Sequence, residues 1–339
     1  DIHKFSGYGI TDYSSGLTNC AFHKNNGKWE LTQRASIDIS EDASEIVGSD
    51  SRGRGIYYWE TESNLFIVND DTVYEATQDG GEVVAGGEIT TGTERVTMLE
   101  TIGTPRLVIL DAENNEGWTV NSAATDVTQI SNAGVGTTDH FPTTICHGGA
   151  ILDSFLFVMD EDGVIYNSET DDPTSFLASS FLEAERENDK GVYLGKHSGS
   201  IVAGGTRTTE FFDDAGYTTG SVLQRRQDMM HNIGWADGLA VWENGDTIYF
   251  VGSNTTGQLA VYKLENFNLV QISNDTLNSY LTQGLTQENL RIILSGWSAM
   301  GQDTLIMTIY TPVSYTHLTL PTTKALCGCG GGGGGGWGG

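Results

Sequence analysis

Short runs of β-favouring residues recur along this chain at a nearly fixed interval, and that interval limits what the chain can fold into. The runs come in clusters. One holds Ile56–Trp59, Asn64–Val68 and Thr72–Tyr74; a second holds Arg106–Leu110 and Gly117–Val120. A third holds Ala150–Leu152, Phe155–Val158 and Val164–Tyr166; a fourth holds Val192–Leu194, Ile201–Ala203 and Thr209–Phe212. A fifth runs from Leu239 to Ile272 in four pieces, and a sixth starts at Trp297 and includes Thr304–Met307. The first apolar residue of the middle strand in each is Leu65, Leu107, Leu156, Ile201, Ile248 and Leu305, giving steps of 42, 49, 45, 47 and 57. A four-stranded propeller blade takes about 40 to 50 residues. One such meander cannot bury both faces alone, and radial packing against neighbours covers them. The spacing therefore predicts an all-β chain, a β-propeller of about six antiparallel blades with small loop or helical insertions. A pair of β-sandwiches is the competing architecture, and the near-constant step favours the propeller.

The turns agree. Asp162-Gly163 and Asn244-Gly245 each sit between apolar runs, a strong short-range hairpin signal. Five prolines in 339 residues leave the strand ladders largely unbroken. The longer last step predicts an insertion. Asn274 to Asn289 has little strand character and is read as one or two short helical turns split at Gly284. Ala178 to Lys190 is the other helical or irregular candidate. Residues 1–50 read as an N-terminal arm or an incomplete first blade, with acidic Ser36–Asp50 as a connecting loop. The propeller proper is assigned to 51–311.

The C-terminal 28 residues, 312–339, stand apart. Val313 onward reads VSYTHLTLPTT and then KALCGCGGGGGGGWGG. The first stretch is the translation of a transposase-type sequencing adapter in one frame, and a glycine run is the translation of a run of G bases. A flexible Gly-rich tail explains the glycines but not the peptide before them. This segment is therefore set aside from fold reasoning as non-native, and the chain, which begins at Asp1 without Met, is expected to be a fragment of a longer frame. Cys327 and Cys329 leave with it, so Cys20 and Cys146 remain, in no spacing that argues a disulfide framework.

Charge narrows the function classes. The whole chain carries 17 basic and 45 acidic residues, a net −28. Lys324 is the one charged residue of 312–339, so without that segment the balance is 16 to 45, or −29. Such a surface lacks the basic footprint of a protein that grips phosphate backbones. It suits one past which a polyanion slides, because carboxylates repel phosphate over about 8 Å at physiological salt. Plain solubility accounts for much of the acidity equally well. No run of 18 apolar residues is present, so no membrane-spanning helix is expected.

Chemical motifs were weighed and mostly set aside. Asp160-Glu161-Asp162-Gly163 resembles the start of a calcium loop, but the alternate ligand position holds Val164 and no closing Glu follows at the right place; a hairpin turn fits better. His140, Cys146 and His147 lack convergent zinc spacing and read as scattered loop and core residues. His231 reads as packed or at an interface. Gly195–Ser200 fails the phosphate-loop pattern because His197 stands where Ser or Thr is needed, so a hairpin turn is expected there too. No G-x-S-x-G elbow occurs. Carboxylates are too many to exclude a glycosidase pair from sequence alone. No cofactor is called for, and no enzymatic activity is assigned.

One stretch carries an ordered set of features. Asp172-Pro173-Thr174-Ser175-Phe176 reads as a turn, and Glu183-Ala184-Glu185 as an acidic patch. The strand pair Gly191–Leu194 and Ser200–Ala203 follows, then Thr209-Glu210-Phe211-Phe212 and Ile233-Gly234-Trp235. In order and spacing this resembles the nozzle proteins of short-tailed bacteriophages, also called packaged-DNA stabilisation proteins, and the likeness extends to about Tyr310. The resemblance implies a structural virion protein of the phage tail, assembled in the host cytoplasm. It further implies a ring of copies, six in number, docked below the portal and head-to-tail adaptor. Such a ring would close the DNA exit channel, retain packaged genome and open at ejection, with viral DNA passing through the lumen without sequence-specific binding. Arg225-Arg226 is the chain's only adjacent basic pair. Together with Glu183, Glu185, Arg186 and Glu187 it forms the candidate subunit interface, since Arg makes directional bidentate pairs with carboxylates; a solvated loop is the plain alternative for the pair. The alternative from another class is a carbohydrate-binding or glycan-cleaving propeller adhesin. It would need aromatics such as Trp59, Trp118, Trp235, Trp242 or Trp297 at one mouth, although tryptophans within strand clusters are more often core.

Overall fold

The computed structural model describes residues 20–25, 28–33, 53–77, 80–101, 103–134, 136, 138–183, 189–217, 219–285, 291–299, 302–311 and 314–321. An antiparallel hairpin of β1 (Cys20–Asn25) and β2 (Lys28–Gln33) comes first. Blade 1 is the meander β3 (Gly53–Trp59), β4 (Asn64–Asn69), β5 (Thr72–Thr77) and β6 (Gly80–Glu88). Blade 2 is β7 (Thr97–Glu100), β8 (Arg106–Asp111), β9 (Glu116–Asn121) and β10 (Val127–Gln129). A two-residue strand, β11 (His147–Gly148), then runs ahead to pair in parallel with blade 4. Blade 3 is β12 (Ala150–Leu152), β13 (Phe155–Met159), β14 (Val164–Glu169) and β15 (Asp172–Glu183). Blade 4 is β16 (Gly191–His197), β17 (Ser200–Gly205), β18 (Thr209–Asp214) and β19 (Leu223–His231). Blade 5 comprises β20 (Gly234–Trp235), β21 (Val241–Asn244), β22 (Thr247–Ser253), β23 (Leu259–Glu265) and β24 (Asn268–Gln271). After helix α1 (Asp275–Leu285), blade 6 is β25 (Arg291–Ala299), β26 (Gln302–Thr311) and β27 (Ser314–Pro321).

This is the propeller that the repeat predicts. All six positions that mark the repeat, Leu65, Leu107, Leu156, Ile201, Ile248 and Leu305, fall on the second strand of their blade. Alternation along each strand sends neighbouring side chains to opposite faces, and the core shows it. Trp59, Phe66, Val68 and Val73 of blade 1 meet Leu107, Ile109 and Val120 of blade 2. Val108 and Leu110, the alternate residues of β8, meet Leu156, Val158 and Phe176 of blade 3. Phe157 and Ile165 meet Leu194, Ile201 and Phe212 of blade 4. Val202 and Phe211 meet Trp235, Ile248 and Phe250 of blade 5. Tyr249 and Val251 meet Ile292, Leu294, Leu305 and Met307 of blade 6. Each of these five seams is thus one hydrophobic core, and the central strands of blades 2 to 5 each serve two of them.

The tight turns use the residues that left-handed backbone requires. β16 and β17 are joined by Ser198-Gly199, both at positive φ, with His197 paired to Ser200. β21 and β22 are joined by Gly245-Asp246, and Asn244 is the last paired strand residue. At the β13–β14 turn, Asp160 uses its carboxylate to accept from Asp162 N and Val164 N at 2.9 Å each, and Gly163 has φ +81°. Tyr166 donates its hydroxyl to the same carboxylate at 3.1 Å.

Three expectations are corrected. Asp172-Pro173 does not form the turn; Thr170-Asp171 does, with Asp171 at φ +60°, and Asp172 already pairs with Glu169. β15 is the outer strand of its blade and the ladder is bulged beside Pro173, so the missing N–H leaves no partner unsatisfied. The same strand continues through Ala178–Glu183, which replaces the helical or irregular reading there; Phe181 pairs with Tyr166 and Leu182 with Ile165. The insertion after blade 5 is helical, as expected, but it is one 11-residue helix that includes Gly284, where one or two short turns split at that residue were expected. Asn274 caps it, its side chain accepting from Leu277 N at 2.9 Å, and Leu281 is fully buried against blades 5 and 6. Ser36–Asp50 lies outside the described residues. No helix among them is long and apolar enough to cross a membrane.

Candidate functional site on the propeller axis

The first strands of successive blades lie side by side around the axis, and charged residues at their ends converge there. The connection from β6 to β7 is held rigidly before it reaches the axis. Arg54, 2% exposed, pairs with Asp111 at 2.7 Å and donates to the carbonyls of Glu94 (2.9 Å), Thr90 (3.0 Å) and Asp70 (3.2 Å). Gly92 makes room for it, because a Cβ there would lie 2.4 Å from the guanidinium. From the other side Glu113 accepts from Thr93 N and Glu94 N. A buried guanidinium is tolerated only when fully hydrogen-bonded, and here its partners knit blade 1, blade 2 and their connection together.

That connection delivers Glu94 and Arg95 to the axis. Arg95 reaches across to donate to Val241 O of blade 5 at 3.1 Å and Leu294 O of blade 6 at 3.2 Å. Glu94 pairs with Arg291 of blade 6 and, at 3.3 Å, with His147 Nε2. His147 sits on β11 against Gly238, where a Cβ would lie 2.5 Å from the histidine's own. Burial lowers the His147 pKa, and Arg95 adds to this against the opposing pull of Asp237. Burial thus favours the neutral ring, which lies beside the Glu94 carboxylate. Asp237, raised by burial, accepts from Leu239 N at 2.9 Å.

Below this layer Tyr193 of β16 hydrogen-bonds to Glu243 of β21. Glu243 is exposed at one side of its side chain and packs beside Tyr193 and Gly195 at the other. Burial pushes its carboxyl up to about 7, while Tyr193 and Arg95 pull the other way. Gly195 leaves space for it, since a Cβ there would lie 2.6 Å from the carboxylate. The cluster thus joins side chains from the blade 1–2 connection, from β11 and from blades 4, 5 and 6. Charge pairs and hydrogen bonds cross-link the elements that meet in this cluster. No group of three or more His, Cys, Asp or Glu among the described residues is placed to hold a metal ion.

The sequence-derived interface residues lie elsewhere, at the outer strands. Glu185, Arg186 and Glu187 are outside the described residues. Glu183 ends β15, and its carbonyl accepts from Arg225 Nη2 at 3.1 Å. Arg225 also pairs with Glu210 at 2.7 Å, and Arg226 lies 3.5 Å from Asp213 and over the Phe267 ring. A shallow recess of about 280 Å³ is lined by Glu210, Arg225, Arg226, Gln227, Met229 and Met230. So the structure brings Glu183 and the arginine pair together within one chain. Of the tryptophans that an adhesin would display, Trp59 and Trp235 are buried and Trp118 and Trp242 pack partly into cores. The side chain of Trp297 is outside the described set. His140 bonds Gly136 O, while Cys146 is buried and its thiol is driven upward in pKa by burial, so the two do not form a site with His147.

Comparison with known proteins follows from this geometry. A protein-family model described as "Bacteriophage P22 Gp10, beta-propeller", of the phage-stabilisation family, matches residues 25–313. None of the curated proteins matches the sequence. Among solved structures the chain is similar to BBS1N in complex with ARL6DN (12% identity, 91% of this chain and 86% of that one, TM-score 0.43). It is also similar to the extracellular domain of BT4673 from B. thetaiotaomicron (13%, 80% and 33%, TM-score 0.49). BamB from Moraxella catarrhalis is a third likeness (10%, 80% and 76%, TM-score 0.46). All three scores fall below 0.5, and the assignment does not rest on them. The family match spans well over half of the chain and agrees with the blade architecture and with the ordered features around Asp172–Trp235: this chain belongs to the phage packaged-DNA stabilisation family of structural β-propeller virion proteins.

Proposed function

We propose that this chain is the wall subunit of a phage tail nozzle. Copies, six by the family resemblance, form a ring beneath the portal and adaptor, close the DNA exit channel, retain the packaged genome and open at ejection. Assembly takes place in the host cytoplasm. The family match over residues 25–313 carries this reading. The bridged axis supports a particular form of it. With Arg95 and Glu94 tying opposite walls together, one propeller is a solid block. The DNA route then runs between copies, along their outer surfaces. Those surfaces are strongly acidic, at a net charge of −28, so phosphate finds little to hold it. The role is structural, with no catalytic step. Arg225, Arg226 and Glu183, with Glu185, Arg186 and Glu187 beside them, are the surface assigned to the contact between copies.

The test is made in a phage that encodes this chain. With the gene interrupted, heads should fill but lose their genome, read as DNA that becomes accessible to nuclease. Particles that hold a full, protected genome without the protein would overturn the proposal. Native mass spectrometry of the purified chain, with and without Arg225→Glu and Arg226→Glu, tests the contact separately. Ring formation that survives the charge reversal would remove these residues from the interface.

A further inference from the structure

Six blades in a closed ring make six seams, and the hydrophobic clusters among the described residues fill five of them: 1/2, 2/3, 3/4, 4/5 and 5/6. Among the described residues no such cluster joins blades 6 and 1. The inner edge of that seam is tied by Glu94–Arg291 and by Arg95 to Leu294 O. Its walls are open. On blade 1 the register places Ile56, Ile67, Tyr74 and Val83 in one cross-strand row and Tyr58 and Leu65 beside it. Ile56 is 65% exposed, Tyr58 55% and Val83 56%. On blade 6 Ile293 is exposed on the face turned away from blade 5. An apolar face of this size on a sheet is unusual unless something covers it.

We infer that the β1–β2 hairpin of the same chain docks on the open face of blade 1, as the inner part of a further blade between blades 6 and 1. Three observations name this occupant. The repeat extrapolates to it, because one step of 42 back from Leu65 lands on His23, inside β1. The register sorts the apolar residues to one side: Cys20, Phe22, Trp29 and Leu31 share a face with Lys24 and Gln33, while Ala21, His23, Asn25, Lys28, Glu30 and Thr32 share the other. Two strands alone are marginal in water and need a third layer or strand to persist. The connection, residues 34–52, has reach to spare at about 3.3 Å per extended residue. The family match begins at residue 25 and so counts β2 and this connection within the propeller. This inference rests on the fold and not on the nozzle reading.

The test uses the full chain with Phe22→Cys and Ile67→Cys, together with Cys20→Ser, Cys146→Ala, Cys327→Ser and Cys329→Ser to remove the competing thiols, and a short bismaleimide linker. An intramolecular link, seen as a monomer with altered gel mobility and the cross-linked peptide by mass spectrometry, is expected. A dimer linked through the same pair would mean that a second copy covers the face and would overturn the inference, as would no link at all. Hydrogen exchange on the unmodified chain gives an independent reading. Amides of Cys20–Gln33 should be protected about 100-fold or more over a free hairpin, and Ile56→Asp should abolish that protection while amides of blades 3 to 5 keep theirs. Amides of Cys20–Gln33 exchanging at free-peptide rates would overturn it.

Discussion

Between blades 4 and 5, the Trp235 ring stacks with Phe250 at 3.9 Å and with Tyr193 at 5.3 Å, and its Nε1 donates to Thr209 Oγ1 at 2.8 Å. Gly204 lies flat beneath it, with no space for a Cβ. Between blades 6 and 1, Ile56, Tyr58 and Val83 meet no such partners. Both seams flank antiparallel meanders, so sheet type alone does not decide which one closes. What differs is the neighbour in sequence. The 4/5 seam joins consecutive blades, whose short connection holds them together. The 6/1 seam joins the far ends of the chain, and only the axial ion pairs bring its edges near each other. A repeat specifies the contact to the next unit and leaves the last contact to the ends.

Four experiments break or sharpen that contrast. The largest effect is expected in the filled seam: Trp235→Ala should cost about 3 to 5 kcal/mol in urea unfolding, as buried aromatic truncations do. A loss under 1 kcal/mol would mean that the 4/5 seam is no tighter than its counterpart. Next is Asp111→Ala, which strands the Arg54 guanidinium in the core and should cost about 3 kcal/mol or more. Arg54→Met with Asp111→Leu in the same chain should recover much of it, and failure to recover would point to the backbone carbonyls as the greater part of the clip. In the open seam Ile56→Ala should cost about 1 to 2 kcal/mol if the hairpin covers it; a change within about 0.5 kcal/mol would mark the face as bare. The smallest effect is a pH dependence. Glu243 titrates near 7 in the folded chain, above the ordinary glutamate range, so the folded state holds a proton that the unfolded state has released. Its contribution to stability therefore declines as pH rises from about 5 to 8. Glu243→Gln removes that decline, and the melting temperatures of parent and variant should diverge, in favour of the variant, across that window. Parallel curves would show that solvent at the exposed side of Glu243, not protein, sets the charge there.

The repeat made most of this fold legible. Apolar runs and Gly-containing turns are local, and Leu65 through Leu305 mark second strands because each central strand must be apolar on both faces. Three things were hidden by their nature. β15 was obscured by Pro173, which a bulged outer strand tolerates and a central one would not. The single helix α1 was obscured by Gly284, which lies in the last turn where its cost is small. The axial cluster was hidden most deeply. Arg95 and Leu294 are 199 residues apart, and no spacing rule links them until the ring is drawn. The one local signal is that charged residues precede the inner strands at Glu94-Arg95, Asp237-Gly238 and Arg291. Glu183 and Arg225 came from sequence as partners across copies, and the structure adds a bond between them within one copy. The family match ends at residue 313, while the backbone of β27 goes on to pair with β26. Thr-rich alternating peptide is strand-competent whatever its origin, and we hold to 312–339 as non-native by proposal.

A ring assembled from a linear chain is weakest where its ends meet, and stacks of repeats usually fray from there. Arg95 changes that mechanics. Its guanidinium holds carbonyls of β21 and β25 while its own backbone follows blade 1, which makes it a chord across the circle. Blade 6 cannot peel away without releasing that chord, and releasing it loosens the hub shared by every other blade. Loss of the last blade and loss of the whole wheel are therefore coupled events, a property that suits an object expected to bear load until a single moment of failure.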